Sequence, residues 1–116
     1  MADGTGEENL FEGVDLGIGT WAWGDRLFWG FGQDYQREDV EAVFDSCISL
    51  GLNFFDTAEV YGQGLSETYI GQFLKKTNKP VKIASKFMPY PWRLLRGSLT
   101  RALQGSLKRL GINKLD

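Results

Sequence analysis

The sequence contains no histidine at all, and its single cysteine, Cys47, has no partner with which to close an internal disulfide. These two absences exclude a Cys/His metal cluster and a disulfide-stapled scaffold, so no metal site is expected. Proline is scarce, and no apolar run approaches the roughly 18 residues that a membrane-crossing helix needs. Basic residues are missing from positions 1–13, where Asp3, Glu7, Glu8 and Glu12 stand instead. Secretory and organelle-targeting peptides open on basic residues, so none is visible as written. Residues 1–13 read as a disordered tail. A net charge of −2 gives no electrostatic pull toward nucleic acid or an anionic membrane, and neither is expected as a partner.

What is present is ordinary for a soluble globular domain, with 42% apolar and 24% charged residues in a chain of 116, long enough for one core. Aromatic residues crowd one stretch: Trp21, Trp23, Phe28, Trp29 and Phe31. Such a run sits poorly in a plain surface loop. It either packs under neighbouring structure or lines a pocket.

Along the chain, Gly13 to Thr20 alternates Val14, Leu16 and Ile18 with small or polar residues, the period of a strand. From Arg37, Val40, Val43, Phe44, Cys47 and Ile48 recur at helical spacing. Glu38, Asp39 and Glu41 suit the first turn of that helix, and Gly51 ends it. Asn53 to Thr57 reads as a second strand. Ser66 reads as the N-cap of a helix to about Lys76, with Tyr69, Ile70 and Phe73 or Leu74 inward. Val81 to Phe87 reads as a third strand. Ser98 then caps a helix with Leu99, Leu103, Leu107 and Leu110 on one face and Gly111 past its end. Ile112 to Asp116 looks like the approach to a fourth strand. Strands alternating with helices imply a parallel α/β sheet, either doubly wound or a slice of a (β/α)8 barrel.

Gly17, Gly19 and Ala22 fit the glycine fingerprint of doubly wound dinucleotide-binding folds. That fingerprint requires a helix to open directly after the glycines, and here Trp23, Gly24, Gly30 and Gly32 postpone any helix to about residue 37. The match is rejected.

The informative residues are polar ones at strand ends. Asp56 closes the second strand, Lys86 lies near the end of the third, and Tyr61 follows Asp56 on the connecting loop. Neighbouring parallel strands lie about 4.8 Å apart, so Asp56 and Lys86 can pair with Tyr61 between them. Carbonyl reduction by hydride leaves an alkoxide that needs a proton from a positioned acid. A tyrosine phenol ordinarily titrates near pH 10, and a lysine ammonium beside it favours the phenolate. Each residue also has a plain reading: Asp56 as a turn former, Lys86 as a solvated strand end, Tyr61 as a packing residue.

Leu16-Gly17-Ile18-Gly19-Thr20-Trp21, Asp56-Thr57-Ala58-Glu59-Val60-Tyr61-Gly62, Ser66-Glu67 with Gly71, and Ala84-Ser85-Lys86-Phe87 resemble the aldo-keto reductase family, in its order and at its spacing. The stretches from Trp21 to Asp25 and from Phe54 to Glu59 resemble a plant plastid-associated subgroup. The resemblance runs from about Val14 to the last residue, making 14–116 the N-terminal portion of such a domain. It implies a (β/α)8 TIM barrel with about the first three βα units in this chain. The implied activity is NADPH-dependent reduction of aldehydes or ketones, on a small-molecule carbonyl substrate with NADP(H) as cofactor.

Carried over by position, Asp56, Tyr61 and Lys86 are the catalytic residues, and Gly19, Thr20, Trp21 and Asp56 contact the cofactor. Trp21 and Trp23 wall the substrate pocket, while Glu67 and Gly71 serve helix placement. The family's histidine and the segments that grip the cofactor phosphates would lie downstream. A small hairpin that plugs the barrel bottom is not recognisable before Val14. Three strands with open edges predict a poorly stable, inactive isolated chain. Two other readings are a non-catalytic NADP-sensing or partner-binding subunit on this fold and association with full-length copies. A soluble protein of chloroplast or cytoplasm fits the resemblance.

Overall fold

The computed structural model describes residues 9–116, so residues 1–8 of the expected tail lie outside the described residues. Three short strands, β1 (Gly17–Gly19), β2 (Phe54–Asp56) and β3 (Lys82–Ala84), form a parallel sheet in sequence order. Each is followed by a helix: α1 (Arg37–Ser49), α2 (Leu65–Leu74) and α3 (Ser98–Leu110). Three consecutive βα units in parallel order match the repeating unit expected of a (β/α)8 barrel. Asp116 continues the pattern: its N–H donates to Ile83 O at 3.0 Å, the beginning of pairing against the open side of β3.

The register sorts the side chains. Ile18, Phe55 and Ile83 stand level across the sheet and face the helices. Gly17, Phe54 and Lys82 form one row of the opposite face, and Gly19, Asp56 and Ala84 form the next. The helix side holds the core. Phe55 stacks on Phe44 with ring centroids 4.9 Å apart, and Phe73 meets Phe44 at 5.4 Å. Burying each of these rings stabilises the fold by about 1.5–3 kcal/mol.

Helix entry differs from expectation. Helix α1 does begin at Arg37, with the Gln36 N–H donating to Asp39 Oδ2 at 2.7 Å. At α2 and α3 the expected serine caps are displaced by glycines, Gly64 (φ 96°) and Gly97 (φ 84°), whose left-handed backbone an L side chain would strain. Ser66 and Ser98 lie inside the helices instead.

The leucine stripe of α3 also divides. Leu110 is buried, whereas Leu99 is 62% exposed and Leu103 42% exposed. Ala102, Ser106 and Leu110 make the packed face. Leu99 and Leu103 line a cavity of about 210 Å³ beside Lys86, Phe87 and Leu115, on the side where a further βα unit of the barrel would pack.

Helices α2 and α3 approach closely because Gly71 has no side chain. A Cβ there would stand 2.4 Å from Arg109 O. Beside this crossing, the fully buried Glu67 accepts hydrogen bonds from Ser85 Oγ (2.7 Å), Ser106 Oγ (2.8 Å) and Arg109 Nε (2.9 Å). At the N-terminal end of the strands, residues 9–13 form a turn: Lys82 Nζ donates to Leu10 O at 2.6 Å, and Phe11 packs on Phe54. No helix among the described residues is long and apolar enough to cross a membrane.

Candidate active site at the strand ends

Strand β2 ends on Asp56, whose side chain leaves the sheet on the face away from the helices. Two residues beyond the end of β3, Lys86 reaches back across to it. Its Nζ lies 2.7 Å from Asp56 Oδ1 and donates to Thr57 O at 2.8 Å. The same ammonium stands over the ring of Tyr61, 5.3 Å from the centroid. The structure thus brings Asp56, Tyr61 and Lys86 into one cluster, drawn from the ends of adjacent strands and the loop between them. The pair is half exposed, with 42% of the Asp56 side chain and 49% of the Lys86 side chain accessible.

Tyr61 is placed by backbone as much as by its own ring. Residues 62–64 run through left-handed conformations, including the non-glycine Gln63 at φ 57°. Gly62 presses on the backbone of Gly24: an added Cβ would meet Gly24 C at 2.8 Å. That contact docks the aromatic loop against the Tyr61 turn. It leaves Trp21 stacked on Tyr61 at 6.3 Å, with Phe28 at 5.5 Å and Trp29 at 5.8 Å on its other sides. Trp21, 44% exposed, therefore stands at the mouth of the cluster.

Trp23 does not. Expected with Trp21 as a pocket wall, it is 5% exposed and packs among Phe44, Phe55 and Phe73. Its side of the loop faces the helices, and its apolar area is worth more there than at a rim. The aromatic run therefore divides, with Trp23 and Phe31 in the core and Trp21, Phe28 and Trp29 outside.

Thr20 is buried too. Expected beside the cofactor, it has no exposed surface. Its Oγ1 donates to Asp56 O at 3.0 Å and lies 2.9 Å from Ser66 Oγ, which lies 2.8 Å from Thr57 Oγ1. This closed hydroxyl cluster ties the ends of β1 and β2 to the first turn of α2, and so fixes the backbone from which Asp56 projects. Gly19 is open: it pairs with Asp56, and a Cβ added to it would meet nothing within 4 Å.

The role of one group escaped the sequence reading. Glu59 receives both guanidinium nitrogens of Arg93, Nη2 to Oε2 at 3.0 Å and Nη1 to Oε1, and also the Met88 N–H at 2.8 Å. Burial pushes the Glu59 carboxyl up, but the Arg93 guanidinium and the Met88 N–H outweigh it and hold the group below the usual carboxylate range. Glu67 is expected in helix placement, but a buried carboxylate two residues into a helix resembles an ordinary helix-dipole acid in sequence, and nothing local marks its partners on α3.

The model of the aldo/keto reductase family matches residues 15–116. Among curated relatives, the chloroplastic pyridoxal reductase of Arabidopsis thaliana is 39% identical over 110 residues, covering 86% of this chain and 30% of that protein. Among solved structures, an aldo-keto reductase from Klebsiella pneumoniae in complex with NADPH superposes with a TM-score of 0.67 at 33% identity, over 86% of this chain and 32% of that one. A thermostable aldo-keto reductase solved with the inhibitor epalrestat gives a TM-score of 0.72 at 32% identity, over 97% and 38%. This chain spans about 30% of the length of the curated relatives it matches.

Proposed function

We propose, from the premise that this chain belongs to the aldo/keto reductase family, that it supplies part of the active site of an NADPH-dependent oxidoreductase reducing aldehydes or ketones to alcohols. The observation that carries the reading is the Lys86 ammonium, held 2.7 Å from Asp56 and over the ring of Tyr61. Bound NADPH would supply the hydride. Tyr61 would give its phenolic proton to the oxygen of the carbonyl being reduced. Lys86 would stabilise the phenolate left behind, and Asp56 would keep Lys86 charged and aimed.

The residues present fit the nicotinamide end of the cofactor. Gly19 leaves open space beside the Asp56 carboxylate, so a flat ring can lie against the strand end. Gly19, Trp21 and Asp56 would make that contact, with Thr20 bracing them from behind. The pyrophosphate and its attached phosphate need basic groups that this cluster does not offer, because Lys86 is already engaged by Asp56 and Thr57. The wall of Trp21, Phe28 and Trp29 suits a planar aldehyde, and the pyridoxal reductase relative supports the same substrate shape. That relative's name also supports a chloroplast location.

Three strands do not close a barrel, so the test belongs on the intact gene product that carries this chain. Tyr61→Phe should lower NADPH oxidation with an aldehyde panel by about 10²–10⁴-fold, the worth of a positioned proton donor, while NADPH binding followed by fluorescence is kept. Undiminished turnover in that variant would remove Tyr61 from the mechanism. NADPH binding without turnover in the unmodified protein would favour a cofactor-sensing subunit instead.

A further inference from the structure

We propose that Glu59 is a positioning residue for this reduction, clasping the segment from Lys86 to Met88 and so setting where the Lys86 ammonium stands. The inference rests on the reading of Lys86 and Tyr61 given above.

Lys86 lies beyond the end of β3 at Ala84, so no strand ladder fixes its backbone. A lysine on an unrestrained backbone sweeps its ammonium through several ångströms, and the four bonds of its side chain add their own rotamer freedom. Something must hold its root. The Glu59 N–H donates to Lys86 O at 3.3 Å, and the Glu59 Oε1 accepts the Met88 N–H at 2.8 Å. One residue therefore grips both ends of the segment from Lys86 to Met88, the first through its main chain and the second through its side chain.

Arg93 locks that grip. Besides binding both carboxylate oxygens, its Nη1 donates to Met88 O at 3.2 Å, and its guanidinium lies 4.6 Å from the centroid of Phe87. The clasp is closed around Phe87. The Glu59 side chain is 8% exposed whereas that of Lys86 is 49% exposed, so a rigid holder presents an accessible working end.

The spacing explains the arrangement. Residues 56–59 leave β2 in one short stretch. Asp56 and Thr57 O take the ammonium of Lys86, and Glu59, three residues after Asp56, takes its backbone. Head and root of the lysine are fixed by the same stretch of chain, so rotation of the side chain and movement of its backbone are each opposed by a bond to residues 56–59.

The test compares Glu59→Ala, Glu59→Gln and Lys86→Met in the intact gene product, measuring kcat against pH, KM for the aldehyde and NADPH binding. Glu59→Ala should lower kcat about tenfold with little change in KM, the pattern of an interaction that matters in the transition state. It should also move the alkaline limb of the kcat profile upward, because the Lys86 ammonium no longer stands firmly beside the reacting phenol. Glu59→Gln, which keeps an oxygen for the Met88 N–H, should fall between Glu59→Ala and the parent protein on both measures. It also serves as the milder probe if the alanine variant folds poorly.

An unchanged kcat and alkaline limb in both variants would overturn the proposal, as would a fall in kcat with the limb unmoved, which marks simple loss of folded protein. If Lys86→Met leaves turnover intact, the proposed chemistry itself fails. If Lys86→Met abolishes turnover while the Glu59 variants behave like the parent, the positioning role alone fails.

Discussion

Replacing Gly71 by alanine sets two known effects against each other. Gly71 lies inside α2, and Gly→Ala in a helix interior ordinarily stabilises by about 0.5–1 kcal/mol through the unfolded chain and helix propensity. Here the new Cβ would stand 2.4 Å from Arg109 O and 2.9 Å from both the carbonyl carbon and the carbonyl oxygen of Leu110. These are backbone atoms of α3, so no rotamer change relieves the clash. To restore ordinary contact at 3.4 Å, the helices must separate by about 1 Å at the crossing. That movement would loosen the neighbouring Arg109 Nε to Glu67 bond, now 2.9 Å.

Overpacking of this kind costs about 1–3 kcal/mol, more than the propensity gain, so Gly71→Ala should be destabilising by about 1–2 kcal/mol. Gly105 in α3 is the control. A Cβ there meets Arg109 Nη1 at 3.2 Å, a side-chain atom that needs to yield by only about 0.2 Å to restore ordinary contact while its Nε stays on Glu67. Gly105→Ala should therefore be stabilising by about 0.5–1 kcal/mol. Urea denaturation of the two variants of the intact gene product should move the midpoints in opposite directions with the slope unchanged. If Gly71→Ala stabilised as much as Gly105→Ala, the close α2–α3 crossing would be wrong.

Trp23→Ala removes a core ring and should cost about 3–5 kcal/mol, whereas Trp21→Ala, at the exposed mouth, should cost less than about 1 kcal/mol while raising KM for the substrate. Equal losses by denaturation would refute the division between core and mouth. Glu59 gives the fold an acid-sensitive contact. Its folded-state carboxyl titrates below the ordinary value near 4.5, so its stabilisation is full above that value and is lost as the pH falls through the lowered one. Thermal melts at a series of pH values should show the gap in Tm between the parent and Glu59→Gln narrowing below about pH 4.5. A gap that stayed constant into acid would sink the assignment.

The alternation of strand and helix was legible because Ile18 and Ile83 sit between polar or small residues, because Phe54 and Phe55 form a short apolar run closed by Asp56, and because Val40, Phe44, Cys47 and Ile48 repeat at helical spacing. Asp56, Tyr61 and Lys86 were legible as polar residues at strand ends. Their meeting in space follows from the parallel order, in which consecutive strands end on the same side of the sheet. What local pattern hid was the partner of each polar group. Ser66 reads as a helix cap from its neighbours, yet Gly64 takes the cap position and Ser66 bonds to Thr20, distant in sequence. Leu99 and Leu103 share a helical period with Leu110, but burial depends on what stands opposite, and only Leu110 has α2 beside it. Trp21 and Trp23 differ by two residues and by the whole thickness of the loop. Composition treats them alike.

The charges show why the Lys86 pair calls for more than a structural explanation. Every lysine of the chain lies at or after Lys75, and no acidic residue occurs between Glu67 and Asp116. Ion pairs accordingly join an acidic first part to a basic second part: Lys76 to Glu41, Lys86 to Asp56, Arg93 to Glu59 and Arg109 to Glu67. The last two have nearly or fully buried carboxylates, with 8% and 0% of the side chain exposed, where losing one partner costs several kcal/mol. Those pairs fasten the third βα unit to the second. Lys86 and Asp56 are each more than two-fifths exposed, and a pair so open to water contributes about 0–1 kcal/mol. Stability alone is a weak reason to bond the backbone of a lysine and of the residue two further on to one glutamate, bond the ammonium twice and set it over a tyrosine. An exposed, firmly aimed cation beside a phenol suits a ligand that is itself charged or becomes so, and the face of the sheet on which it stands is the one the helices leave free.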